Sequence, residues 1–350
     1  MSTTHTDSQP DVLLQPEELA PRVELAHSAL AALDRVLLGR EAFHRLVMVG
    51  ILSGGHILLE GVPGVGKTVL IKTLGEVLGL TTRRVQFTPD LMPGDILGSH
   101  ILQETSSGGR EMTFQPGPIF THILLADEIN RASPKTQSAL LEAMQEGSVT
   151  LLGNTRQLPK PFFVLASQNP IELEGTYPLP EAQLDRFLFK LQVEDPDASV
   201  LEQIITGRRR GEAEPPGAVL DAEGLDQLFE TMERIFLPRA VAGYIARLVA
   251  ATRPGADVGP TEVSEYVSYG ASPRAAIGMA EASRAHALLA GRPTVGFDDV
   301  RAVALPVLGH RLILNYQARF DRVDSARVVD RLLATVDETG LELAAGVELA

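Results

Sequence analysis

Cysteine is absent from the 350 residues, so the chain has no disulfide framework, no thiolate metal site and no cysteine nucleophile. Lysine is scarce, supplying only five of the 31 basic residues, at positions 67, 72, 135, 160 and 190. Basic charge as a whole runs short. The formal net charge of −14 removes any overall pull toward nucleic acid or an anionic membrane. The densest basic cluster, Arg208–Arg210, reads as a solvated helix end before the Glu/Pro/Gly-rich stretch 211–217. Long apolar runs are missing too: the best candidate, 43–59, contains His44, Arg45 and His56, which argues against a membrane span. The opening MSTTHTDSQPD lacks a basic start and an apolar core, so no signal peptide is expected and a soluble, cytoplasmic protein is. The eight histidines form no H-x-x-x-H pair and no serine sits in a nucleophile elbow. No zinc site and no covalent hydrolase is expected.

What is present is apolar material enough for one large or two modest domains, at 44% hydrophobic residues. Residues 1–20 are polar, with Pro10 and Pro16, and are expected to form a disordered tail. Short apolar runs at 56–59, 84–87, 122–125, 162–166 and 187–193 alternate with helical stretches at about 67–79, 134–146 and 180–186. That alternation predicts an α/β fold with a parallel sheet covered on both faces. Two additions interrupt it, one at about 101–118 and one at about 148–158, where strand-like residues flank Gly-Asn. After about 194 helical spacing takes over, as in Leu225, Leu228, Phe229 and Met232. A core over 21–193 and a smaller all-α domain over 194–350 are therefore expected.

The chemistry starts at GVPGVGKT, residues 61–68. It follows a strand and opens a helix, the context in which G-x-x-x-x-G-K-[ST] cradles phosphate with backbone N–H groups and the helix N-terminus. Gly61, Val62, Pro63, Gly64, Val65 and Gly66 form the loop; Lys67 would reach the β- and γ-phosphates, Thr68 would ligate Mg²⁺, and Val69 is the next helical residue. In HILLADEIN (122–130) an apolar strand ends in Asp127 and Glu128. Alternation along the strand would aim them differently. Asp127 then suits the Mg²⁺ shell, and Glu128 suits polarising an attacking water. A small GTPase switch needs no such Glu here and a small-molecule kinase would not want water activated, so hydrolysis is favoured. In SQNP (167–170) Asn-Pro alone is a turn signal, but its spacing from the other motifs would put Asn169 near the γ-phosphate if the two strands are neighbours. Arg186, before the strand FLFKLQV, is either a surface cation or an arginine finger for a neighbouring subunit. In ASPRAAIGM Ser272 reads as an N-cap and Pro273 as the first helical residue. Arg274 then sits in a first turn, where the helix dipole disfavours a cation unless an anion binds there.

These segments resemble the MoxR family of AAA+ ATPases. The resemblance rests on GVPGVGKT, QFTPDLMPGDILG, FQPGPIFTHILLADEINRASPKTQSALLEAMQEGSVT, SQNPIELEGTYPLPEAQLDRF and GASPRA, and spans roughly 33–315. It implies an AAA+ αβα P-loop core, a helical lid and a homo-oligomeric, commonly hexameric ring. The two additions fall where the family carries a helix-2 insert and a pre-sensor-1 hairpin. It also implies ATP and Mg²⁺ as cofactors, with Walker A at 61–68, Walker B at Asp127 and Glu128, sensor 1 at Asn169, the arginine finger at Arg186 and sensor 2 at Arg274. Adenine would pack near Leu38 and Gly39. Such proteins act on a protein client, often with a von Willebrand factor A-domain partner. The stretch TPDLMPGDILG lacks the aromatic of threading pore loops, so threading by that device is not expected. A nucleic-acid-stimulated motor is the alternative; Arg156 and Lys160 are thin basic charge for gripping a phosphate backbone. A scaffold that binds ATP without turnover is a third, opposed by the full set Glu128, Asn169, Arg186 and Arg274.

Overall fold

A computed structural model describes residues 13–62, 64–104, 109–170, 175–208, 214–256 and 259–339. Contacts divide the chain into two units. One is Glu24–Phe229; the other joins the preceding chain, up to Val23, to the chain from Glu230 onward.

The first unit runs through α1 (Pro16–Val36, entered from the other unit), α2 (Glu41–Leu52), β1 (Ile57–Glu60), α3 (Lys67–Val77), β2 (Thr82–Gln86) and α4 (Pro93–Leu97). It continues with β3 (Gly98–Glu104), β4 (Arg110–Pro116), β5 (Ile123–Asp127), α5 (Pro134–Glu146), β6 (Ser148–Leu151), β7 (Asn154–Gln157) and β8 (Phe163–Gln168). It ends with α6 (Glu181–Leu184), β9 (Phe189–Gln192), α7 (Ala198–Gly207) and most of α8 (Ala222–Arg234). Five strands make one sheet in the order β2-β5-β8-β1-β9, and every pairing is parallel. The interior strand β5 is buried at every residue. Its apolar run ILLA carries no alternation because helices cover both faces of a parallel sheet. Leu58, Leu124 and Val164 share a fully buried cluster with Leu140, Leu141 and Phe187.

The two additions are antiparallel hairpins. β3 pairs with β4 from Gly98↔Pro116 to Glu104↔Arg110, so the first begins three residues before the expected 101, directly after α4. Residues 105–108 lie outside the described residues. β6 and β7 form the second, as the alternation predicted. Arg156 of β7 stacks its guanidinium 3.9 Å from the ring centroid of Phe114 on β4. This cation–π contact commits the cation considered above for phosphate.

The expected boundary at 194 follows the end of the strands, but the contacts do not break there. Residues 194–208 and 214–229 stay with the sheet: Arg208 donates to the carbonyls of Val36 and Arg35, the N–H groups of Val219 and Leu220 donate to Val77, and Phe229 stacks on Phe163. The expected tail over 1–20 overlaps a helix. Residues 1–12 lie outside the described residues, whereas α1 starts at Pro16 and buries Leu19.

The other unit contains α9 (Arg239–Ala251), α10 (Thr261–Tyr266), β10 (Val267–Tyr269), α11 (Pro273–Leu289), α12 (Phe297–Leu308), β11 (Ile313–Leu314), α13 (Tyr316–Phe320) and α14 (Ser325–Thr335). Its described residues are helical apart from the two-stranded β10–β11 pair and an isolated bridge between Phe236 and Thr294, which the sequence reading did not anticipate; strands of three and two residues are too short to show a period. α14 buries Val328, Val329 and Leu332, giving part of the unassigned C-terminal stretch a place in this unit's core. Residues 340–350 lie outside the described residues. Among the described residues no helix is long and apolar enough to cross a membrane.

Candidate functional site

The loop 61–68 leaves the carboxyl end of β1. Gly61 packs so closely that a Cβ there would lie 2.7 Å from the Val193 carbonyl oxygen. Gly64 and Gly66 adopt φ of 89° and 87°, a left-handed region open at low cost to glycine. Nothing lies within 4 Å of a Cβ built on Gly64, so the backbone there has room for a ligand. Gly66 caps α3, whose first residue, Lys67, is buried with Nζ donating to the Gly61 carbonyl at 2.7 Å. Burial lowers the Lys67 pKa, and the carboxylates of Asp127 and Glu128 oppose that shift. Val65 is buried, Val62 half-buried, and Thr68 and Val69 are exposed; Pro63 lies outside the described residues.

Asp127 closes β5 and is 8% exposed. Its Oδ1 accepts the Ser167 hydroxyl at 2.5 Å. Its Oδ2 accepts two donors of Arg84, Nε at 3.1 Å and Nη2 at 2.7 Å. Glu128 turns out of the strand with φ 57° and ψ 50°, an uncommon conformation for a non-glycine residue. The two carboxylates therefore diverge through this left-handed turn, where the sequence reading relied on strand alternation. The Glu128 N–H donates to Ser167 Oγ at 2.9 Å, and its Oε2 accepts from Gln86 Nε2 at 2.6 Å and Arg131 Nη1 at 3.2 Å.

β8 lies between β5 and β1, the neighbour relation on which the Asn169 expectation depended. Asn169, just past the end of β8, is 5% exposed. Beside it Glu60, the last residue of β1, pairs with Lys190 at 2.9 Å and accepts amides from Gln168 and Gln192. Burial raises the Glu60 pKa, but Lys190 and the two amides outweigh it and hold the carboxyl below its ordinary value.

Lys67, Asp127, Glu128 and Asn169 are thus gathered at the carboxyl edge of one sheet. Leu38 and Gly39 lie on the same unit, between α1 and α2. Leu37 Cδ2 comes within 3.4 Å of a Cβ built on Gly66, and Arg40 donates to the Val65 carbonyl at 2.6 Å, so this segment packs on the glycine loop. Arg186 is not in that group. It precedes β9, and Leu188, just ahead of that strand, donates its N–H to the His56 carbonyl ahead of β1, so Arg186 sits at the amino edge of the same sheet. Its Nη1 donates to the Leu141 carbonyl at 2.7 Å. Arg274 belongs to the other unit, exposed in the first turn of α11, with Ser272 Oγ accepting its N–H at 3.2 Å and Pro273 leading the helix.

The sequence reading gave no role to Arg84, Gln86, Ser167, Arg131 or Arg40. Alternation puts Arg84 and Gln86 on one face of β2, but β2 reads TRRVQ, so polar residues are the rule on this strand and single out neither. Ser167 stood inside SQNP but was passed over for Asn169.

The residues present fit a nucleotide with a divalent cation. The hydroxyl of Thr68 and the carboxylate of Asp127 are hard oxygen donors suited to Mg²⁺. A guanidinium already balances Asp127 where a cation would stand. The loop offers uncovered backbone beside a buried ammonium.

Comparison with known proteins agrees. A family model for the ATPase family associated with various cellular activities (AAA) matches residues 56–189, and one for the AAA lid domain matches 260–332. Chaperone MoxR1 of Mycobacterium tuberculosis is 45% identical over 322 residues, covering 91% of this chain and 84% of that protein. Protein MoxR of Paracoccus denitrificans is 33% identical over 327 residues, covering 88% and 94%. A candidate ATPase from Cytophaga hutchinsonii, solved by crystallography, matches with a TM-score of 0.82 at 37% identity, covering 92% of this chain and 97% of that one.

Proposed function

The chain belongs to the MoxR family of AAA+ ATPases, and from that membership we propose that it hydrolyses ATP and uses the cycle to remodel, assemble or mature a protein client. One observation carries the reading: the order β5-β8-β1 brings the glycine loop, both carboxylates and Asn169 to one edge of one sheet. In AAA+ terms 61–68 is Walker A, Asp127 and Glu128 are Walker B, and Asn169 is sensor 1.

The backbone of Gly64–Gly66 and the ammonium of Lys67 hold the phosphates. Thr68 and Asp127 hold Mg²⁺, which when bound neutralises charge across the phosphate oxygens. Asn169 positions a water in line with the γ-phosphate. Glu128 takes a proton from that water as its oxygen bonds to the γ-phosphorus. The bond from γ-phosphorus to the bridging oxygen breaks, and ADP and inorganic phosphate leave. Leu38 and Gly39 border the adenine.

Arg186 lies across the sheet from its own Walker motifs, separated by the length of β1, about 13 Å at the usual rise per residue. This placement supports its service to a neighbouring copy, as an arginine finger within a ring, which we take to be hexameric. Arg274 acts as sensor 2 from the lid. The name of the mycobacterial relative, a chaperone, supports a protein client, and the family resemblance supports a von Willebrand factor A-domain partner. The net charge of −14 and the engagement of Arg156 by Phe114 speak against a nucleic-acid motor.

The test is ATP turnover with Mg²⁺ by wild type and Glu128→Gln. The variant should bind ATP but turn over about a hundredfold more slowly, the scale of one positioned general base. Trapped with ATP, it should also retain its client in a pull-down. A wild-type protein that binds ATP and never releases phosphate, alone or with a client, would sink the proposal.

A further inference from the structure

We propose that Arg84 is a built-in counter-cation that competes with divalent metal for Asp127, and so sets how strongly nucleotide binding depends on metal. The inference rests on the nucleotide reading above.

Both Arg84 donors converge on one oxygen, Oδ2 of Asp127, at 3.1 and 2.7 Å. A carboxylate oxygen offers about two lone-pair directions, so Arg84 fills Oδ2. The other oxygen holds the buried Ser167 hydroxyl at 2.5 Å. A nearly buried carboxylate needs a compensating cation, and here the protein supplies its own. Metal at Oδ2 must displace the guanidinium; metal bound through a water must accept a positive charge close by. Either way the two cations oppose each other.

The partners differ in how easily they move. The Arg84 side chain is 51% exposed against 12% for Asp127, and it stands on β2, an edge strand of the sheet. Swinging out rehydrates it at small cost, whereas Ser167 is fully buried and stays. Displacement is also felt beyond Asp127. Arg84 Nη2 donates to Gln86 Oε1 at 2.7 Å, and the Gln86 amide holds Glu128 at 2.6 Å. The carboxylate assigned to metal and the one assigned to water activation are thus joined through two side chains of β2, and Arg84 is the link that metal must break. Arg84 is accordingly a positioning residue with an inhibitory pull on metal loading.

The experiment measures the Kd of a fluorescent ATP analogue in EDTA and in saturating Mg²⁺, and takes their ratio for each protein. Arg84→Gln should raise that ratio about two- to fivefold, the size supported by an ion pair with one half-exposed member. Arg84→Lys keeps the charge and should stay within about twofold of wild type. If Arg84→Gln fails to melt cooperatively, Arg84→Met serves as the second neutral variant. A ratio that is unchanged or lower in a folded neutral variant overturns the proposal while leaving the ATPase reading intact. Absence of nucleotide binding by wild type, with or without metal, overturns both.

Discussion

The two edges of the central sheet satisfy their polar groups in different ways. At the carboxyl edge the carboxylates bond to side chains: Asp127 with Arg84 and Ser167, Glu128 with Gln86 and Arg131, Glu60 with Lys190, while Lys67 and Arg40 donate to the loop carbonyls of Gly61 and Val65. At the amino edge, around β1 and β9, side chains bond to backbone. Arg186 donates to the Leu141 carbonyl, while His56 accepts the Val164 N–H through Nδ1 and faces the Met144 carbonyl with Nε2. A side-chain partner can be exchanged for a ligand at the cost of a rotamer change; a backbone partner can be lost only if the element moves. The carboxylates of the carboxyl edge hold exchangeable partners, whereas Arg186 and His56 at the amino edge are held in fixed geometry.

The largest effect should come from the carboxyl edge. Lys67→Ala removes the ammonium and should abolish ATP binding in a calorimetric titration; an unchanged affinity would remove 61–68 as the phosphate loop. Next, at the amino edge, Arg186→Ala should bind ATP yet turn over at least about a hundredfold more slowly. Mixing it with Glu128→Gln subunits, which carry an intact Arg186, should restore activity. If every mixing ratio stays inactive, Arg186 acts only within its own subunit or only structurally, and the contrast between the edges loses its functional meaning.

A pH experiment isolates the fixed side. Burial drives the His56 pKa from 6.5 down to about 4, against an opposing bond to Met144. The folded state thus binds the proton less readily than the unfolded chain. The stabilisation is present above pH 6.5, is lost as pH falls toward 4, and amounts to at most about 3 kcal/mol. His44, buried beside Asp34, is also shifted down, mainly by burial, and adds in the same direction. Denaturant melts at pH 7 and pH 4.5 should show His56→Gln losing less stability on acidification than wild type. An equal loss would mean that His56 does not carry the effect. The smallest change is expected at the hairpins. Arg156→Ala breaks the contact over Phe114 and should cost about 0.5–1 kcal/mol with no change in ATP affinity. A loss of affinity would tie the hairpins to the carboxyl edge.

Much of the site was legible because its chemistry is written in short contiguous stretches. Glycines at 61, 64 and 66 and the carboxylates 127 and 128 sit at strand ends, and the strands are apolar runs long enough to recognise. The N-cap at Ser272 was equally local. Arg84 was not legible, because an arginine on an edge strand has the same local pattern whether it points to water or to a buried carboxylate. Nor was the boundary between units: strands end at Gln192, but whether the following helices stay on the sheet depends on partners such as Val77, Val36 and Phe163, remote in sequence.

The sequence by itself determined the fold class, the glycine loop after the first strand, the carboxylate pair at a strand end and the family, since each depends on period or spacing within a few tens of residues. Only the tertiary structure decided which strands are neighbours, that Arg186 stands at the edge opposite Asp127, and that Arg84 occupies Asp127 Oδ2. Those facts depend on the crossover order β2-β5-β8-β1-β9, which sets side chains as far apart in sequence as Glu60 and Gln192 at bonding distance, and no local spacing encodes it.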